Sequence, residues 1–231
     1  MTTTFITGAN KSLGYETARR LIAAGHTVLV GARDPERGKA AAKKLGARFV
    51  QIDVTDDASV ARAAADVAEH EGAIDVLINN AGVSGPVGKT EPPTAKDALF
   101  VFDTNVIGIV RVTHAFVPLL RKAKAPRIVN VTSGLGSFAM THSRDRIEGK
   151  VLAPLYTASK AAVNMLSTQL ARAFTDIRVN VVDPGYTATD FNGHTGPQTI
   201  TEGTDAIVEL ATEPDSAGTG RFVDRHGPVA W

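Results

Sequence analysis

Tyr156 and Lys160 stand four residues apart in an alanine-rich stretch, so on a helix they share one face. A free phenol titrates near 10 and is a poor acid–base group at neutral pH. A neighbouring ammonium favours the phenolate and lowers that value. Such a pair can give a proton to a substrate oxygen or take one from it. A Tyr-x-x-x-Lys spacing also arises by chance in many helices, so its meaning depends on its surroundings. Upstream, the apolar run ending in Asn130-Val131-Thr132-Ser133-Gly134 offers two adjacent hydroxyls that could hydrogen-bond a substrate carbonyl. Strand alternation sends their side chains to opposite faces, and the spacing alone leaves both Thr132 and Ser133 in contention.

Positioning these groups falls to a chain in which short β-branched runs alternate with longer alanine-rich stretches. Strands are expected at 3–7, 27–31, 48–54, 74–79, 127–132, 178–182 and 220–223. Helices are expected at 13–24, 35–45, 57–71, 94–120, 156–174 and 201–211. Several strands are apolar on both faces, such as Val28-Leu29-Val30 and Val76-Leu77-Ile78, as when helices cover a parallel sheet on each side. The alternation implies right-handed crossovers and one doubly wound, seven-stranded parallel sheet in an α/β chain. With no repeat, low-complexity tract or linker, residues 1–231 read as a single domain. Irregular segments at 83–93, 134–154 and 183–196 all follow strand ends, where open α/β sheets bind ligands.

Composition narrows the class. A net charge of +1 gives no electrostatic case for nucleic acid or an anionic membrane. The absence of cysteine excludes disulfides and thiolate metal sites, and no metal site is expected. No uninterrupted apolar run nears the length of a membrane span, and the first residues lack the pattern of an export signal. A cytoplasmic location is the expectation.

The turn after the first strand reads Thr7-Gly8-Ala9-Asn10-Lys11-Ser12-Leu13-Gly14. A glycine turn opening a helix brings backbone N–H groups close to a pyrophosphate, and the helix dipole favours the anion. Gly8, Asn10, Lys11, Ser12, Leu13 and Gly14 are the candidates for that contact, although the spacing is not G-x-G-x-x-G. The second strand runs into Gly31-Ala32-Arg33-Asp34. An acid at that place binds the ribose 2′-OH of NAD, whereas an arginine accommodates the 2′-phosphate of NADP. Arg33, with Lys11, favours NADP(H); Asp34, one residue on, keeps NAD(H) as the alternative.

These pieces, in this order and each on its expected element, resemble the short-chain dehydrogenase/reductase family across almost the whole chain. They are Thr7-Gly8 with Gly14, Asp53-Val54, Asn79-Asn80-Ala81-Gly82, Asn105, Ser133, Tyr156 with Lys160, and Pro184-Gly185. The family's turn resembles T-G-x-x-x-G-x-G, and here Ser12 replaces the middle glycine. The resemblance implies a Rossmann fold and a carbonyl-reductase-like NADP(H)-dependent oxidoreductase acting on a carbonyl or alcohol. It selects Ser133, through its spacing to Gly136, and implies Asn105, Ser133, Tyr156 and Lys160 as the catalytic set. Asn105 would support a water leading to Lys160, and Lys160 would bind the nicotinamide ribose. It further implies that Asp53 and Val54 hold the adenine and that Asn80, Ala81 and Gly82 line the adenosine ribose. Pro184, Gly185, Thr187 and Thr189 would hold the nicotinamide carboxamide. Asn79 is better explained as a brace of the central sheet.

Ser133 and Tyr156 lie 23 positions apart, more than in many members. The extra residues, around 139–155, are expected to border the substrate site. A similar but larger insertion in carbonyl-reductase-like members covers a helix face that other members use for subunit contacts, so the resemblance puts a homo-oligomer in doubt. Phe138, Met140, Leu152, Tyr186 and Phe191 are expected to form a partly apolar pocket, whereas His142 and His194 read as solvated. Two rival readings remain. A non-catalytic NADP(H)-binding regulator would be expected to lose Tyr156 or Lys160. A nucleotide-sugar enzyme would need a larger C-terminal part than the 46 residues after Gly185.

Overall fold

The computed structural model describes residues 2–87 and 92–231. The strands are β1 Thr3–Thr7, β2 Thr27–Ala32, β3 Arg48–Gln51, β4 Val76–Asn79, β5 Arg127–Val131, β6 Arg178–Val182, β7 Phe222–Asp224 and β8 Gly227–Pro228. They form one sheet in the order β3-β2-β1-β4-β5-β6-β7-β8. The expected seven parallel strands are present, and the two-residue β8 returns antiparallel beside β7. A strand that short carries no periodic signal. β3 stops at Gln51 rather than at 54 because the next groups turn inward on themselves. The Asp53 N–H goes to Ser59 Oγ, and Asp53 Oδ1 accepts from Thr55 N.

Alternate residues of the central strands feed two cores. Phe5, Leu29 and Leu77 point to one face, where they meet Val60, Val67, Val112 and Phe116. Those partners lie on helices α3 Asp57–His70 and α5 Gly108–Leu120; Ala171, in the same core, lies on α7 Pro154–Ala173. Ile6, Val30 and Ile78 point to the other face, against α1 Ser12–Ala23, α2 Pro35–Leu45 and α9 Asp205–Thr212. Both sides of the sheet are thus dry, as its doubly apolar strands require.

The long helix expected over 94–120 forms as α4 Ala95–Phe102 and α5, joined by a π-helical turn at Asp103–Ile107. The stretch expected over 201–211 divides into α8 Ile200–Gly203 and α9 at Thr204. Within the loop before α7 a short helix, α6 Phe138–His142, gives the inserted residues an order of their own. The strand order reverses between β1 and β4, so the cleft of an open α/β sheet opens at their C-terminal ends.

Candidate active site

A cleft of about 870 Å³ runs along those strand ends, and each of the three irregular segments borders it. Val83, Ser84 and Val87 come from the first, Leu135, Glu148 and Val151 from the second, and Tyr186 and Phe191 from the third. The first segment also includes residues 88–91, which lie outside the described residues.

Ser133, Tyr156 and Lys160 meet inside this cleft. The Ser133 hydroxyl lies near enough to the Tyr156 phenol to draw its titration down, and it accepts from Leu135 N at 3.2 Å. Thr132, the competitor, is turned away and buried, with Oγ1 donating to Lys160 O at 3.2 Å. Lys160 Nζ lies 5.6 Å from the centre of the Tyr156 ring and donates to Val131 O at 2.9 Å. Burial raises the Tyr156 phenol above its ordinary value, the Ser133 hydroxyl pulls it down, and the nearby Asp183 charge raises it further. Burial lowers Lys160 to about 8, against the upward pull of Asp183. The phenol is therefore held as the proton-bearing form beside an amine that titrates close to neutrality.

Asn105 is buried in the π-helical turn, and it faces the same spot beside Gly82 as Lys160 does: a side chain on Gly82 would begin 3.4 Å from Asn105 Oδ1 and 3.8 Å from Lys160 Nζ. Its Oδ1 accepts from Val83 N at 2.8 Å, and its Nδ2 donates to Val83 O and to Ser159 Oγ at 2.9 and 3.0 Å. Ser159 Oγ in turn donates to Tyr156 O. The amide thus ties the segment after β4 to the first turns of α7.

The other end of the cleft is built on the glycine turn. Gly8 has φ +66°, and a side chain on Gly14 would begin 2.5 Å from Gly8 O, so α1 sits hard against the turn. Asn80 Nδ2 braces it by donating to Thr7 O and Gly8 O at 2.9 and 3.2 Å. Ser12 has φ +52°, a left-handed conformation that explains the family's glycine there. Asn10, Lys11, Leu13, Ala81 and Gly82 line the cleft, as do Asp53 and Val54. Arg33 is at its mouth, with Nε 4.0 Å from Asp53 Oδ2. Asp34 is not among the lining residues, because its carboxylate caps α2 by accepting from Arg37 N at 3.0 Å. Asn79 braces the sheet, its Nδ2 donating to Asn130 Oδ1 at 2.8 Å.

The segment after β6 closes the cleft from above. Gly185 has φ +70°, a left-handed conformation that favours glycine, and the end of the Gln198 side chain packs against it. Pro184 and Thr189 line the cleft; Thr187 does so too, but its hydroxyl donates to Pro184 O at 2.9 Å. The Phe191 ring lies 5.4 Å from that of Tyr156. Asp190 takes Lys11 Nζ at 3.0 Å across the cleft, and His194 Nε2 also contacts it at 3.0 Å.

Three expectations about the pocket are corrected. Phe138 and Leu152 do not face the cleft; they are strongly exposed and border a separate apolar groove beside α7. Met140, within α6, is buried against the Gly134 turn, with Ser137 Oγ accepting from its N–H. His142 and His194 are both exposed as expected, His194 Nε2 lying within hydrogen-bond distance of Asp190 Oδ1. Asp183, Glu148 and Asp190 were missed. The one available signal was an acid closing the apolar run Val181-Val182-Asp183.

A family model described as short chain dehydrogenase matches residues 2–199, a stretch that contains every cleft residue named above. The chain belongs to this family. A short-chain dehydrogenase of Penicillium roqueforti is 38% identical over 224 residues, covering 90% of this chain and 87% of its own. (−)-Isopiperitenone reductase of Mentha piperita is 32% identical, with 97% of this chain and 96% of its own covered. That alignment runs over 306 positions, so the mint enzyme carries inserted segments that this short-chain dehydrogenase of 231 residues lacks. The solved salutaridine reductase of Papaver somniferum superposes with a TM-score of 0.86 at 28% identity, covering 96% of this chain and 99% of that one. As a member of this family, the chain is an oxidoreductase acting on carbonyl or alcohol groups.

Proposed function

We propose that this short-chain dehydrogenase reversibly reduces an apolar carbonyl compound, with NADP(H) as hydride carrier and Tyr156 as acid and base. The observation that carries the reading is the convergence of Ser133, Tyr156 and Lys160 in a cleft that also contains the glycine turn. That turn fits a dinucleotide: a side chain at position 14 would collide with Gly8 O, Gly8 takes the left-handed conformation that favours glycine, and α1 begins at this turn. NADP(H) is favoured because Arg33 lines the cleft while its acidic neighbour Asp34 is engaged as a helix cap. Apolar substrate is favoured by Val87, Leu135, Val151, Tyr186 and Phe191 in the lining of the cleft, Phe191 lying against Tyr156 itself, and the names of the mint and poppy relatives are those of reductases.

When bound, the nicotinamide cofactor supplies or takes up the hydride. Ser133 donates a hydrogen bond to the substrate oxygen and orients it. Tyr156 gives its proton to that oxygen in reduction and withdraws it in oxidation. Lys160, held at Val131 O, places a positive charge near the phenol and favours the anion left behind. Asn105 acts by holding α7 in place through Ser159 and Val83. A non-catalytic regulator would have no need of this set.

NADPH oxidation measured against a panel of aldehydes, ketones and quinones tests the reading. Turnover of at least one apolar ketone is expected, falling by about 10²–10⁴-fold in Tyr156→Phe, the usual contribution of a positioned acid. Turnover that survives the substitution undiminished sinks the mechanism.

A further inference from the structure

Among the described residues, Asp183 and Lys160 are the only residues of the Asp, Glu, Lys and Arg types that are buried as whole residues, each 5% exposed. Both line the same cleft, and their signs are opposite. Buried charges persist when paired or well hydrogen-bonded, and the steps above give Asp183 no use.

Its surroundings are specific. Asp183 follows β6 directly, with its N–H donated to Val223 O on β7. Its Oδ1 accepts from Gly185 N at 2.9 Å, in the turn that begins the loop over Tyr156. The other oxygen packs on the turn bearing Ser133, where a side chain on Gly134 would begin 2.8 Å from Oδ2. One carboxylate therefore joins the turn bearing Ser133 to the turn bearing Pro184 and Gly185. Lys160, on α7, has a neutral carbonyl as its hydrogen-bond partner: its Nζ sits on Val131 O of β5, and Val131 pairs in the sheet with Val182, the residue before Asp183, whose charge pulls the Lys160 titration upward against burial. The other charges that face Asp183 are Asp224 on β7 and Glu148 before α7, both negative. Burial first, and those two acids with it, raise the Asp183 carboxyl, while the Gly185 and Gly134 N–H groups lower it.

We propose that Asp183 is a positioning residue that clips the Ser133 turn to the Pro184–Gly185 turn and is the counter-charge keeping Lys160 an ammonium. The proposal rests on the reading of Lys160 as part of the proton-transfer set. It adds a residue that works through Lys160 without touching substrate.

The sign can be worked out. An opposite charge raises an amine's pKa, so removing the Asp183 charge lowers that of Lys160 further below about 8. Reduction that depends on the ammonium then loses its alkaline limb at lower pH. The test follows Lys160 by NMR of protein labelled at the lysine side chains, with its signal assigned by its loss in Lys160→Met. In Asp183→Asn the midpoint is expected to fall by about one unit. The alkaline limb of kcat/KM for NADPH-dependent reduction should move the same way, and Asp183→Glu should restore both in part. Asp183→Ser, whose hydroxyl can still accept from Gly185 N–H, serves if the asparagine variant does not fold. A midpoint unmoved in a folded variant, even with kcat reduced, overturns the proposal and leaves Asp183 a structural clip. Because the titration needs no turnover, it stands even if the wild type reduces nothing on the panel.

Discussion

Ser12 shows how one residue can depart from a pattern and still serve it. At φ +52° its backbone lies where glycine is unstrained, and other residues carry a cost of about 1–3 kcal/mol. Glycine would remove that strain but gain roughly 0.5–1 kcal/mol of unfolded-state entropy. Ser12→Gly is therefore expected to raise stability by about 1 kcal/mol, read as a higher urea midpoint at unchanged slope. A lower midpoint would mean that the hydroxyl makes a contact worth more than the strain. Arg33 presents a different balance. It is 78% exposed at the cleft mouth, with Asp53 at 4.0 Å as its nearest acid. A charge-assisted bond to a 2′-phosphate contributes about 1.5–3 kcal/mol, less where solvent screens it. Arg33→Ala should raise the KM for NADPH about tenfold or more and leave that for NADH nearly unchanged. Equal losses with both cofactors would point to a role for Arg33 that is blind to the 2′-phosphate.

The loop after β6 behaves as an element, although little of it is regular. Gly185 turns it, Phe191 lays it on Tyr156, and the Lys11–Asp190 pair fastens it to the glycine turn. Lys11 and Asp190 are both more than half exposed, and such pairs are worth 0 to about 1 kcal/mol. The fastening is soft enough for the cleft to open. Lys11 also faces the place proposed for phosphate, so the carboxylate and the cofactor compete for one cation. Asp190→Ala should then tighten NADPH binding by up to about fivefold, measured by fluorescence titration. Weaker binding would show instead that Asp190 helps to hold the loop in its binding form. None of this was visible in a sequence that places Lys11 and Asp190 179 positions apart. The π-helical turn escaped for a related reason. Its residues, Asp103–Ile107, continue the helical period on both sides, and only the inward placement of Asn105 against Val83 and Ser159 marks the change.

At the scale of the whole molecule, what the sequence determined was order and type. Strands with two apolar faces, such as Val76–Asn79, could exist only between helical layers, so the alternation of runs was enough for the sheet and its two cores. The residue types of the cleft, from Gly8 to Pro184, were likewise legible, because all but the α7 pair Tyr156 and Lys160 among the motif residues follow a strand at the edge where such sheets bind ligands. What the tertiary structure decided was which neighbour each group meets. It separated Ser133 from Thr132, turned Asp34 into a cap, moved Phe138 and Leu152 to another groove and set Asp183 beside Lys160. The physical reason is that periodicity specifies the face on which a side chain emerges, within one element. Hydrogen bonds and charge pairs across the cleft depend on the register and packing of elements distant in the chain, which only the assembled sheet and its helices determine.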